Sequence, residues 1–201
     1  MFAPGTPELV AIKKRAHLLS AAYSDTTEEE VYKRADILKR LLAAFGEGSF
    51  IQGPLCVHYG THTVIGNHFF GNYNLTVQDD APVTIGDDVN FGPNVTIVTP
   101  IHPMLPGERN RMIDEEGKPA RLCYAKPGTI GSNIWFGANV VVCSGVTIGD
   151  NCVNGAGSVV TKDIPANSFA AGVPCRVIRE ITEADSMKYK PEICGGCRVE
   201  E

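Results

Sequence analysis

Residues 130–165 read IGSNIWFGANVVVCSGVTIGDNCVNGAGSVVTKDIP, and their period decides the fold. In blocks of six, the first positions are Ile130, Phe136, Val142, Ile148, Asn154 and Val160, and the second are Gly131, Gly137, Cys143, Gly149, Gly155 and Thr161. The fifth positions are Ile134, Val140, Val146, Cys152, Ser158 and Ile164. A period of six suits neither a helix, which repeats every 3.6 residues, nor an alternating strand, which repeats every two. It suits a short flat strand followed by a tight turn, with the aliphatic residue pointing inward and glycine where the backbone needs positive φ. Three hexads then close one triangular coil. Stacked coils bury an aliphatic prism that no single repeat could bury alone.

Working outward, hexads start at Ile51 and Val57, slip by two residues, and resume at Ile65, Gly71 and Val77. A second two-residue slip leads to Ile85, Phe91 and Ile97. Corner turns with an extra residue pair would produce such slips, and about five coils fit between Ile51 and Pro165. From Pro103 to about Pro127 the repeat disappears into a polar, charged stretch. A loop that long inside a compact repeat usually serves a function.

Before the repeat, Leu9, Ile12, Ala16 and Leu19 share one helical face ending near Tyr23. Ser24 to Thr27 followed by Glu28, Glu29 and Glu30 reads as an N-cap with carboxylates in the first turn of a second helix carrying Val31, Ala35, Leu38, Leu42 and Phe45, stopped by Gly46 and Gly48. The pair would cap one end of the prism. Ala170 to Ile181 reads as a last strand and a terminal helical turn closing the other end. The organisation expected is a helical cap over 1–50, a mainly β hexapeptide-repeat solenoid over 51–181 with loop 103–127 protruding after the third coil, and a mobile tail over 182–201.

With 201 residues and 43% hydrophobic content, the chain has the composition of one soluble domain with additions. Neither a secretory leader nor an 18-residue apolar run is present, so the cytoplasm is the expected location. A net charge of −5, spread without long runs, argues against a nucleic-acid surface and points to a small-molecule partner. The seven cysteines read as reduced thiols. Cys194 and Cys197 form one CxxC, which lacks the second pair a structural zinc site wants.

His102 ends the hexad begun at Ile97, directly before the long loop, so it can be covered from its own corner. Imidazole titrates near neutrality and can take a proton from a hydroxyl as it attacks a carbonyl. His17, His58, His62 and His68 are further candidates for the same chemistry. No Gly-x-Ser-x-Gly elbow, phosphate loop or dinucleotide fingerprint is present, so direct transfer is simpler than a covalent serine route. Lys162, Arg176 and Arg179 are spaced to meet phosphates of an extended ligand, although as isolated features they would be surface charges.

Several stretches together carry a resemblance: Asn74-Leu75-Thr76 with Asp79-Asp80, Val83 to Asp87, Pro93 to Thr96, His102-Pro103, Ile134 to Gly137, Gly145 to Asn151, Gly155 to Pro165, and Ala171 to Arg179. From about Pro7 to Ile181 the chain resembles the galactoside and maltose O-acetyltransferases of the hexapeptide-repeat family. The resemblance implies a left-handed parallel β-helix, contrary to the usual right-handed crossover. It also implies a homotrimer with active sites between subunits and acetyl-CoA as donor, with no metal required. His102 matches the catalytic base, which deprotonates a sugar hydroxyl for attack on the thioester. Asn72 and Asp80 match residues that hold the acceptor, and His58 stands where the galactoside enzyme has a small polar acceptor contact. Ala138, Ala156, Thr161 and Lys162 match contacts along the coenzyme, and Arg176 and Arg179 match residues near its nucleotide phosphates. The departures, at His58, at the N-terminus and in the longer loop after His102, all touch the acceptor side. An antibiotic or serine acceptor, or a noncatalytic scaffold, are the alternatives; the short helical leader argues against serine.

Overall fold

A short strand that runs straight into a corner has no paired neighbour within its own coil, so each hexad must find its backbone hydrogen bonds one coil above and one below. The computed structural model describes residues 5–110, 112–113, 115–120 and 123–190, and it satisfies that requirement with three parallel sheets wrapped into a prism. The first face stacks Ala44–Phe45, Thr63–Ile65, Val83–Ile85, Gly128–Ile130 and Thr147–Ile148, and Ile164 bridges to Ile148 above them. The second stacks Phe50–Ile51, Phe70–Gly71, Asn90–Phe91, Trp135–Phe136, Val153–Asn154 and Ser168–Ala171. The third stacks Leu55–Val57, Leu75–Gln78, Thr96–Val98, Val141–Val142 and Val159–Val160.

The hexad phase predicts the core faithfully. Ile130, Phe136, Val142, Ile148 and Val160 are buried, as are Ile134, Val140, Val146, Cys152 and Ile164. Aromatic rings fill the axis: Phe91 stacks on Phe136 at 4.7 Å between centroids and meets Phe69 edge-on at 5.1 Å.

The hexad glycines serve a different purpose from the one expected. Positive φ is carried mainly by Asn74, Asp88, Asn94, Asn133, Asn139, Asn151 and Asn167, residues whose short polar side chains tolerate the left-handed region. Their amides also stack into ladders, Asn74 donating to Asn94 at 2.9 Å and Asn94 to Asn139 at 3.0 Å. The second-position glycines instead allow neighbouring coils to touch. A Cβ on Gly46 would lie 2.3 Å from the Gly66 carbonyl carbon, on Gly66 2.6 Å from the Gly86 oxygen, and on Gly149 2.5 Å from the Ala166 nitrogen.

The ends differ from expectation in detail. The first helix, α1, spans Pro7–Ser24 and buries Ala16, Leu19, Ser20 and Tyr23. The second, α2, spans only Val31–Leu41, with Glu30 at its N-cap. Glu28 and Glu29 precede the helix rather than occupying its first turn, and the Glu30 carboxylate accepts from the Thr27 amide at 2.8 Å. Phe45 belongs to the first strand rather than to α2, so the solenoid starts at Ala44, before the expected boundary at 51. Buried Arg34 locks α2 to this coil: its guanidinium donates to the Tyr23 hydroxyl and the Gln52 carbonyl, the latter at 2.8 Å. At the other end, Arg176–Glu180 is an antiparallel strand against Ser168–Ala171, not a helical turn. Two short 3-10 turns, Glu183–Asp185 and Met187–Tyr189, lie within the segment expected to be a mobile tail. Cys194 and Cys197 lie outside the described residues.

Candidate active site

The two slips in the repeat fall at one place. Coils one to three advance by 20 residues, the fourth to the fifth by 18 and the last turn by 16, and the added pairs of the early coils sit at the corner joining the third face to the first. In coil one this corner is residues 58–62, in coil two 79–82, and in coil three it opens into the long loop. Stacking therefore gathers His58, His62, Asp79, Asp80 and His102 into one column of turns.

Asp79 is fully buried and accepts from the Tyr59 amide at 2.7 Å, the Gly60 amide at 2.7 Å and the Thr63 hydroxyl at 2.9 Å. These bonds make it the strut that shapes the turn. Its neighbour Asp80 accepts instead from His58 Nδ1 at 2.9 Å, with a carboxylate only 4% exposed. The His58 ring stacks on His17 from α1 at 5.8 Å, so the cap completes this wall. Burial, then the neighbouring His58 and Lys13, push the His17 imidazole down. His62 Nδ1 donates to the Asp79 carbonyl at 2.7 Å.

The loop is not loose at its root. Pro100–Ile101 pairs antiparallel with Tyr124–Ala125, and the Lys126 amide donates to the Thr99 carbonyl at 3.2 Å. Within the loop, Pro106–Asn110 forms a helical turn and Met112–Ile113 pairs with Pro119–Ala120. His102 leaves this ladder exposed, and its Nδ1 lies 3.4 Å from the Cys123 sulfur. Cys123 is buried; burial raises its thiol, the Asp80 carboxylate raises it further, and Lys13 opposes them. His102, Cys123, Asp80 and His58 thus form one cluster.

The remaining expected residues lie elsewhere. Asn72 is on the second-to-third corner, and its side-chain oxygen accepts from the Tyr73 amide at 2.8 Å. Ala138 and Ala156 belong to that corner too, higher up: a Cβ on Gly92 would meet the Ala138 nitrogen at 2.8 Å, and one on Gly137 the Ala156 nitrogen at 2.6 Å. Small residues there leave a flat strip of backbone. Thr161 and Lys162 are exposed directly after Val159–Val160, on the His102 column two coils further on. Arg176 donates to the Cys175 carbonyl at 2.8 Å. Arg179 makes a two-pronged pair with Asp185, both contacts 2.7 Å, and packs over Phe169. That guanidinium, and then the Thr182 amide, hold the Asp185 carboxyl at about 2. One chain therefore separates the Ala138–Ala156 strip from the His102 corner by the width of the third face.

Sequence reasoning missed Cys123 as part of this corner; it named His17 only as an alternative base and Asp79 only beside Asp80. Cys123 sits in a stretch without a repeat, so no period tied it to His102. Among the described residues, no group of three or more His, Cys, Asp or Glu is placed to hold a metal ion.

Comparison with known proteins agrees with this architecture. Residues 82–102 and 127–162 match the family described as hexapeptide repeat of succinyl-transferase, and residues 1–46 match the maltose acetyltransferase hexapeptide capping motif. The chain is 44% identical to galactoside O-acetyltransferase of Escherichia coli K12 over 92% of its own length and 85% of the relative's. It is 38% identical to the Lactococcus lactis galactoside O-acetyltransferase, over 94% of this chain and 87% of that one. A solved galactoside acetyltransferase in complex with coenzyme A superposes with a TM-score of 0.83 at 43% identity, over 92% of this chain and 88% of that one. A Vibrio cholerae hexapeptide-repeat acetyltransferase complexed with acetyl-coenzyme A superposes at 0.79 with 31% identity, over 91% and 94%. A hexad core capped by two helices, a loop rooted at His102 and relatives of this closeness together assign the chain to the galactoside and maltose O-acetyltransferase family of hexapeptide-repeat proteins.

Proposed function

We propose that this protein transfers the acetyl group of acetyl-CoA to a hydroxyl of a sugar of the galactoside, maltose or glucose type, with His102 as general base. The observation that carries the reading is the convergence, at one corner of a chain of this family, of an exposed imidazole with the Asp80–His58 pair. His102 takes the hydroxyl proton as the oxygen attacks the thioester carbonyl, and the tetrahedral intermediate collapses with departure of the CoA sulfur, which the imidazolium can reprotonate. The oxyanion needs a backbone N–H donor. Asn72, Asp80 and His58 hold the acceptor, since amide, carboxylate and imidazole can all bond to hydroxyls. The pantetheine arm runs along Ala138, Ala156, Thr161 and Lys162, and Arg176 and Arg179 meet the nucleotide phosphates.

Because Asn72, Ala138 and Ala156 stand one face away from His58, Asp80 and His102 on a single chain, a complete site draws residues from two neighbouring copies, and a homotrimer provides that arrangement. The location proposed is the cytoplasm; among the described residues no helix is long and apolar enough to cross a membrane.

The testing experiment measures CoA release from acetyl-CoA with a thiol reagent across galactosides, glucosides, maltose, serine and chloramphenicol. Turnover on a sugar is the expected result. Turnover confined to serine or chloramphenicol would replace the acceptor class, and failure to bind CoA would return the chain to a scaffold.

The Arg179–Asp185 pair gives a second expectation. A phosphate must compete with the Asp185 carboxylate for the same fork of N–H donors. Asp185→Ala should therefore lower the KM for acetyl-CoA while Arg179→Ala raises it, both leaving the acceptor KM unchanged. Identical coenzyme KM values in all three proteins would remove Arg179 from the phosphate site.

A further inference from the structure

The root of the long loop continues further than its paired strands. Thr99 faces Lys126, Pro100 faces Ala125 and Ile101 faces Tyr124. The next positions in the same antiparallel register are His102 and Cys123, and their side chains meet, sulfur to Nδ1, at 3.4 Å. That distance is too long for an N–H···O bond but suits the larger sulfur atom. The arrangement is anchored below, where the Thr99 hydroxyl donates to the Gln78 carbonyl at 2.7 Å and accepts from the Ala81 amide at 3.0 Å. The Ser144 hydroxyl holds the Thr99 carbonyl from the coil above at 2.6 Å. An otherwise exposed histidine is thus held at one ring edge by a residue that is only 6% exposed.

We propose that Cys123 is a positioning residue for His102: the thiol holds the Nδ1 edge of the ring, so that Nε2 is presented bare to the acceptor hydroxyl. The inference rests on the general-base reading given above. A neutral imidazole carries one N–H and one bare nitrogen, and the partner of the first decides which nitrogen is the base. With Nδ1–H directed at the sulfur lone pair, Nε2 is left as the base. Burial and then the nearby Asp80 push the Cys123 thiol up against the opposing Lys13, which favours a neutral thiol at the ring edge.

The test compares His102→Ala, Cys123→Ala and Cys123→Ser by steady-state kinetics, with the His102 tautomer read from 15N shifts of labelled protein. Loss of the orienting partner of a metal-bound histidine costs about 10- to 100-fold, and Cys123→Ala should lose kcat on that scale with both KM values unchanged. Cys123→Ser, which keeps a hydrogen-bonding atom, should recover most of the loss. Wild type should show Nδ1 protonated, and Cys123→Ala a mixture of tautomers. Wild-type kcat in Cys123→Ala beside an inactive His102→Ala would overturn the role of Cys123 and leave the general base standing. Equal loss in the Ala and Ser variants, or one tautomer in all, would reduce Cys123 to a packing residue. An active His102→Ala would remove both readings together.

Discussion

Replacing His102 with alanine is expected to lower kcat by about 10²- to 10⁴-fold, the usual contribution of a positioned general base. Acetyl-CoA binding should be unchanged, because the residues proposed to contact the coenzyme lie on other corners or other coils. The substitution should also leave the fold intact: His102 is exposed, and the backbone bonds that root the loop are made by Thr99 to Ile101 and Tyr124 to Lys126. Coenzyme titration and thermal melting separate a chemical loss from a folding loss. A variant that binds acetyl-CoA and melts like wild type but still turns over would mean that the acceptor hydroxyl loses its proton to another group, with His58 the first to test on the same column.

Phe91→Ala is expected to cost about 3–5 kcal/mol of stability, the range for truncating a buried phenylalanine. The effect should sit at the upper end for two reasons. Phe91 is 1% exposed and touches rings above and below, Phe136 and Phe69, so truncation removes two aromatic contacts as well as its own burial. In a solenoid, moreover, each coil is held only by its neighbours, so a void in the third coil weakens the coupling of everything on either side. Urea unfolding followed by circular dichroism would measure the loss, and Phe91→Leu should restore much of it by refilling volume. A cost below about 1 kcal/mol would mean that the adjoining coils close over the gap. Because the third coil also carries the loop rooted at His102, activity should fail at lower temperature than in wild type.

Read as a sequence, the chain discloses its core almost residue by residue. A hexad position is a local property, and once Ile130, Phe136 and Val142 must all point inward, the backbone between them has few ways to turn. The helical leader is legible from its apolar spacing, although that spacing runs on to Phe45 while the second helix ends at Leu41. Phe45 has the right spacing for α2 and the right bulk for the solenoid, and the close stacking of Gly46 on Gly66 decides in favour of the strand. The repeat glycines are visible in the sequence but their role is not, because sequence shows a glycine and not the backbone that approaches it.

The period of six, visible in the amino acids alone, determined a coiled prism, its buried side chains, its interruption after the third coil and the candidacy of His102 at that interruption. Tertiary structure decided the rest: that both slips and the long loop share one corner, that Asp80 is bonded to His58 while Asp79 builds the turn, that Arg179 is paired with Asp185, and that Cys123 stands against His102. The reason is physical. Burial recurs along the chain and leaves a period, whereas a contact between side chains from different coils depends on the stacking register and on the path of an aperiodic loop, and neither leaves a mark in local spacing.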